Sequence, residues 1–188
     1  MGYTISKGWL QGARRVPSPN FGARPSGVGP ELIVIHSISL PPGCFGGPEV
    51  EQLFTNCLDW DADPWFAQIR GLEVSAHFLV RRCGELVQFV SVDDRAWHAG
   101  VSRWQGRDNC NDFSIGIELE GCDEFPYSDA QYESLAALSR TLLGYYPLLG
   151  PERVAGHCDI APGRKTDPGP TFDWPRYRAG LVLPGDTG

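Results

Sequence analysis

No stretch of this 188-residue chain approaches the roughly 18–20 apolar residues that cross a bilayer, so no membrane partner is expected. No two of the six cysteines form a Cys-x-x-Cys pair, which argues against a zinc ribbon. Met1 to Leu10 contains Lys7 but no apolar core segment, so no secretory leader is read there and the thiols are expected to be reduced, as in a cytoplasm. Basic charge is short as well. Lys plus Arg total 16 against 23 Asp plus Glu, a net charge of −7, and bulk nucleic-acid binding needs the opposite balance. Internal repeats and low-complexity tracts are also missing. The length fits one domain.

What is present is a series of short elements separated by Gly and Pro. Residues 1–30 read as an irregular arm packed on the rest. Leu32-Ile33-Val34-Ile35 is a continuous apolar run, expected to be a buried strand ending at His36. Glu49 to Leu58 carries Val50, Leu53, Phe54 and Cys57 at helical spacing. Ser75 to Arg81 and Glu85 to Val90 flank Arg82-Cys83-Gly84, a hairpin pattern. Phe113 to Leu119 alternates apolar and polar residues, a further strand. Ser128 and Gln131 form a capping box for a helix that stops before Pro147. Pro175 suits the first turn of a last helix. Strands and helices are mixed around one sheet, with no clear repeat of a βα unit.

The segment from Gly156 to Pro170 holds three prolines and three glycines. Pro lacks an amide donor and fixes φ, so a shaped loop is expected. It carries His157, Lys165 and Asp167. With His36, two imidazoles and one carboxylate would make a three-ligand zinc site with an open fourth position. Spacing does not choose between that and a loop histidine plus a satisfied strand-end histidine. Lys165 lies two residues before Asp167 and faces the same way in extended chain; there it could stabilise an oxyanion, or be an ordinary solvated lysine. Glu118 lies opposite Ile115, Ile117 and Leu119 by alternation. It could be a general base, or a charge on a solvated sheet face like Glu120. Trp97 could stack on a sugar or anchor its own loop. His77 reads as a core histidine with a hydrogen-bond partner.

Several ordered blocks together resemble the AmpD family of N-acetyl-anhydromuramyl-L-alanine amidases, within the amidase and peptidoglycan-recognition superfamily. They are Arg15 to Asn20, Val34 to His36 with Ile38 to Gly43, Val74 to His77, Arg95 to Ser102, Asn111 to Gly121, and Gly156 to Trp174. The resemblance implies an α+β fold, a mixed central sheet flanked by helices, in one amidase domain over residues 1–188. It implies zinc held by His36, His157 and Asp167, with Glu118 and Lys165 catalytic and Trp97, His98 and Ser37 at the substrate. The implied partner is an anhydromuramyl-peptide, cut at its lactyl–L-alanine amide by a cytoplasmic monomer in peptidoglycan recycling. The chain departs from the family in having Ser37 for an Asn, and Glu73 and Asn109 where some members carry Arg. A local basic patch is expected for the anionic substrate, from among Arg81, Arg82, Arg95, Arg103, Arg107 and Arg164.

Overall fold

In the computed structural model, which describes residues 3–182, six strands form one mixed sheet. In chain order they are β1 (Arg14–Arg15), β2 (Leu32–Ile38), β3 (Phe78–Val80), β4 (Leu86–Gln88), β5 (Ser114–Glu120) and β6 (Val154–Gly156). Their spatial order is β6-β2-β5-β3-β4-β1. The first four run parallel, β4 is antiparallel to β3, and β1 is parallel to β4. The helices are α1 (Glu49–Phe54), α2 (Asp129–Tyr145), α3 (His157–Ile160) and α4 (Trp174–Leu181).

The apolar run in β2 follows from burial on both sides, as parallel strands require. On one face Ile33, Ile35, Ile115, Ile117 and Leu119 pack against Leu135, Leu138 and Leu142 of α2 and Tyr177 of α4. On the other, Leu32 and Val34 meet Ala99, Cys110, Phe113 and Ile160. Farther along that sheet, Leu79 and Val87 pack with Val50, Leu53 and Phe54 of α1. The alternation in β5 has a different cause from the usual one. All seven of its residues are buried, so Ser114, Gly116 and Glu118 face a polar interior rather than water.

The capping box forms as read: Ser128 Oγ accepts from the Gln131 amide at 3.1 Å, and the Gln131 side chain accepts from the Ser128 amide at 3.1 Å. Pro175 lies in the first turn of α4, behind an Asp173 cap. Three boundaries differ from the sequence reading. Helix α1 stops at Phe54, four residues early, because Thr55 turns its hydroxyl to the Glu51 carbonyl and Asn56 adopts φ +59°. The arm at 1–30 contains short strands, one of which joins the sheet as β1; two-residue strands leave no period to read. Gly156 to Ile160 is not loop but the end of β6 and the one-turn α3. The prolines of that segment all lie beyond Ile160, where the chain does turn irregularly.

Candidate metal centre and catalytic cleft

Two neighbouring strands place the first two groups. The β2–β5 register pairs His36 with Glu118, and in-register residues on adjacent strands point to one face about 4.8 Å apart. His157 follows directly from β6, whose last residue Gly156 pairs with Ile35. Asp167 is brought back by a backbone bond from the Cys158 amide to its carbonyl, 3.0 Å. The next carbonyl, of Pro168, accepts from Tyr127 Oη at 2.7 Å. A strand end, a helical turn and a tied-down loop therefore converge.

His36 Nδ1, His157 Nδ1 and Asp167 Oδ2 form a triangle with sides of 2.9, 3.0 and 3.2 Å. The three could hold one metal ion. The donor set fits that role. Burial holds the His36 pKa down to about 4, outweighing the opposing pull of Asp167, so its ring is neutral at pH 7, as a ligand must be. Burial raises the Asp167 carboxyl, but its close contacts with the His157 and His36 imidazoles override it and keep the group ionised. His157 Nε2 lies 3.1 Å from the Ala99 carbonyl, an acceptor only. That nitrogen therefore carries the proton, and Nδ1 presents its lone pair to the triangle.

Glu118 is 8 % exposed, and its Oε2 is buried without a hydrogen-bond partner among the described residues. Burial, and then the charge of Asp167, push its pKa well above the usual carboxylate range, with Lys165 pulling the other way. A buried unpaired carboxylate oxygen is costly in a fold that gains nothing from it. The Glu118 side chain lines an open cleft of about 560 Å³. Glu118 and Lys165 line that cleft with all three candidate ligands. Trp97 and Ser37 line it as well. Burial pushes the pKa of the Tyr127 hydroxyl upward, with Ser37 pulling the other way.

His98 needs a different account from the one expected. Its edge reaches the cleft, but both ring nitrogens are engaged inside the protein: Nδ1 with His36 Nε2 at 2.9 Å and Nε2 with Ser114 Oγ at 3.1 Å. No ring nitrogen is left for a substrate. The basic patch is also smaller than expected. Arg81 is tied to Glu51 and Glu120, Arg95 to Asp112, Arg103 to Asp108 and Arg107 to Glu31. Arg82 lies over the Phe45 ring and donates to the Pro126 carbonyl. Of the six arginines only Arg164 lines the cleft, and its Nη2 donates to the Ala99 and Val101 carbonyls. Asn109 donates instead to Asp112, 2.9 Å away, and Glu73 is exposed. His77 is the core histidine expected: Nδ1 accepts from the Gly116 amide and Nε2 donates to the Asp94 carbonyl.

Some site features escaped the sequence reading. Asn111 Oδ1 accepts from the amides of both His98 and Ala99, at 3.0 and 2.8 Å. Its place in a polar run carries no hint of that. The apolar wall of the cleft comes from Trp65, Ile69 and Leu72, around a 3-10 helix at Pro64–Ile69. Its signal was legible: Asp63 before Pro64 is an N-cap followed by Pro at the first position, and Asp63 Oδ1 does accept from the Trp65 amide.

A family model described as N-acetylmuramoyl-L-alanine amidase matches residues 26–170. The chain is 62% identical, over 94% of each chain, to a 1,6-anhydro-N-acetylmuramyl-L-alanine amidase AmpD of Salmonella typhimurium. A crystal structure of a Se-Met AmpD derivative superposes with a TM-score of 0.92 at 58% identity, covering 95% of this chain and 99% of that one. The Escherichia coli amidase AmiD, solved with anhydro-N-acetylmuramic acid-L-Ala-D-γ-Glu-L-Lys, superposes at 0.60 with 30% identity, over 96% of this chain and 66% of that one. With the fold, the donor triangle and these likenesses together, the chain belongs to the N-acetylmuramoyl-L-alanine amidase family and, within it, to the AmpD group.

Proposed function

We propose that this chain hydrolyses the amide between the lactyl group of 1,6-anhydro-N-acetylmuramic acid and the L-alanine of its stem peptide, with zinc as cofactor. The observation that carries the reading is the 2.9–3.2 Å donor triangle beside the unpartnered Glu118 Oε2. His36, His157 and Asp167 are the ligands in this reading. Zinc held there would supply Lewis acidity toward the attacking water and the scissile carbonyl.

The remaining work falls to side chains. The Glu118 carboxylate takes a proton from the attacking water and delivers it to the departing alanine nitrogen. Its raised pKa strengthens it as the base and holds the proton until the amine leaves. The Lys165 ammonium compensates negative charge developing on the carbonyl oxygen. Trp97 supplies a flat apolar surface for the sugar, and Ser37 one short polar contact. Among the described residues no helix is long and apolar enough to cross a membrane. This is compatible with soluble muropeptide as substrate and with a cytoplasmic monomer acting in peptidoglycan recycling. Through the same fragments the activity would bear indirectly on β-lactamase induction.

A binding-only module is the rival reading. Such a module has no need of a buried base or of a cation at the carbonyl; that Glu118 and Lys165 both line the cleft supports the enzyme reading. Mass spectrometry of anhydromuramyl-tripeptide incubated with zinc-loaded protein separates the two. Free tripeptide and 1,6-anhydro-N-acetylmuramic acid are expected. Intact substrate recovered from a stable complex would favour the module.

A further inference from the structure

The loop Trp97-His98-Ala99 contributes no ligand to the triangle, yet it touches both imidazoles on their outer sides. His98 Nδ1 lies 2.9 Å from His36 Nε2. The Ala99 carbonyl lies 3.1 Å from His157 Nε2. Behind His98, Ser114 Oγ is 3.1 Å from its Nε2 and 2.6 Å from the Cys110 carbonyl. Asn111 Oδ1 holds the His98 and Ala99 amides from below. The ring sits tightly on the sheet: a Cβ on Gly116 would come within 2.4 Å of His98 Cγ.

The hydrogens in this chain can be assigned by working inward from its fixed end. The Cys110 carbonyl can only accept, so the Ser114 hydroxyl donates to it. Ser114 Oγ is then an acceptor toward His98, whose Nε2 carries the proton. A neutral His98 ring has one proton, so its Nδ1 accepts. His36 Nε2 must therefore donate, which leaves His36 Nδ1 as a bare lone pair aimed into the triangle. Hydroxyl, imidazole and carbonyl thus dictate one tautomer of His36, while the Ala99 carbonyl dictates the same tautomer of His157.

We infer that His98, buttressed by Ser114 and pinned through Asn111, is a positioning residue that sets the metal-binding tautomer of His36. The inference rests on the zinc reading above and assigns His98 to the metal centre rather than to the substrate. Outer partners of this kind are worth about 10–100-fold in metal affinity.

The test compares wild type, His98→Ala and His98→Asn, with zinc affinity measured by chelator competition. The Asn side chain returns an acceptor near the place of Nδ1, the Ala side chain none. His98→Ala should bind zinc roughly 10–100-fold more weakly, with His98→Asn recovering most of the loss. Long-range 1H–15N spectra of the unsubstituted zinc-loaded protein give a second readout that does not depend on any variant folding. They should place protons on Nε2 of His36, His98 and His157. A proton on His98 Nδ1 in wild type, or unchanged zinc affinity in His98→Ala, overturns the inference while leaving the zinc reading intact. Failure of wild type itself to bind zinc would instead remove the zinc reading and the inference together.

Discussion

Glu118 brings a stability cost and a chemical use to one atom. Its carboxyl is buried, and its pKa is raised, first by burial and then by Asp167. A folded-state pKa above the unfolded value means the native protein binds more protons between the two. The stabilising contribution of this group is complete below the unfolded value of about 4.5 and is lost as pH rises through the folded value. At neutral pH this group therefore destabilises the metal-free protein. Glu118→Gln should raise the melting temperature of metal-free protein at pH 7, and the gain should vanish below about pH 4.5. The same variant should keep its zinc and lose turnover by roughly 100-fold or more, the scale of a removed general base. Near-normal rates, or a stability gain that persists in acid, would place the proton transfer and the buried charge elsewhere.

At the scale of elements, β5 is the informative strand. Its alternation was visible in the sequence, and so was the side on which Glu118 lies. What could not be read was that the opposite side is also buried, since Ser114, Gly116 and Glu118 look like a solvated face. Gly116 explains the difference, because the His98 ring occupies the space its missing side chain leaves. Gly116→Ala should therefore destabilise the fold by about 1–3 kcal/mol, the range for overpacking a tight interior. A shift in the urea midpoint would measure it, and an unchanged midpoint would mean that His98 can move aside freely. Helix starts were legible for a local reason. Ser128 with Gln131, and Pro175, act within one turn, where sequence distance and spatial distance agree. The stop of α1 depended on one backbone angle at Asn56, which side-chain spacing does not report.

The whole molecule assembles its donor triangle from residues 121 and 131 positions apart in sequence. No periodicity covers such gaps. Residue types alone left those three groups as one option among several, and family resemblance selected them. Physical reading did reach strands and helices around one sheet, the face of Glu118 and the core role of His77. It did not reach the pairing that removes Arg81, Arg95, Arg103 and Arg107 from the cleft, because ion pairs across a fold leave no mark in local sequence. Since the triangle exists only when β2, α3 and the Asp167 loop are all in place, metal binding should be coupled to the global fold. At 100 times its dissociation constant zinc should add about 2.7 kcal/mol, or roughly 5–10 °C in melting temperature for a chain this size. Chelation should reverse the shift, and a melting temperature indifferent to zinc would rule out a site formed only in the native state.

The neutralised arginines also bear on how substrate arrives. Arg164 and Lys165 are the only cations lining the cleft among the described residues, beside four carboxylates, on a chain of net charge −7. An anionic muropeptide diffusing toward this surface meets a repulsive far field, and attraction begins only inside the cleft, at these two cations. The Debye length shrinks from about 30 Å at 0.01 M salt to about 8 Å at 0.15 M, which hides the distant charges and spares the near ones. In the encounter-limited regime kcat/KM should therefore rise as salt is added over that range, the reverse of an electrostatically steered enzyme. Capture would thus be faster at moderate ionic strength than in dilute buffer.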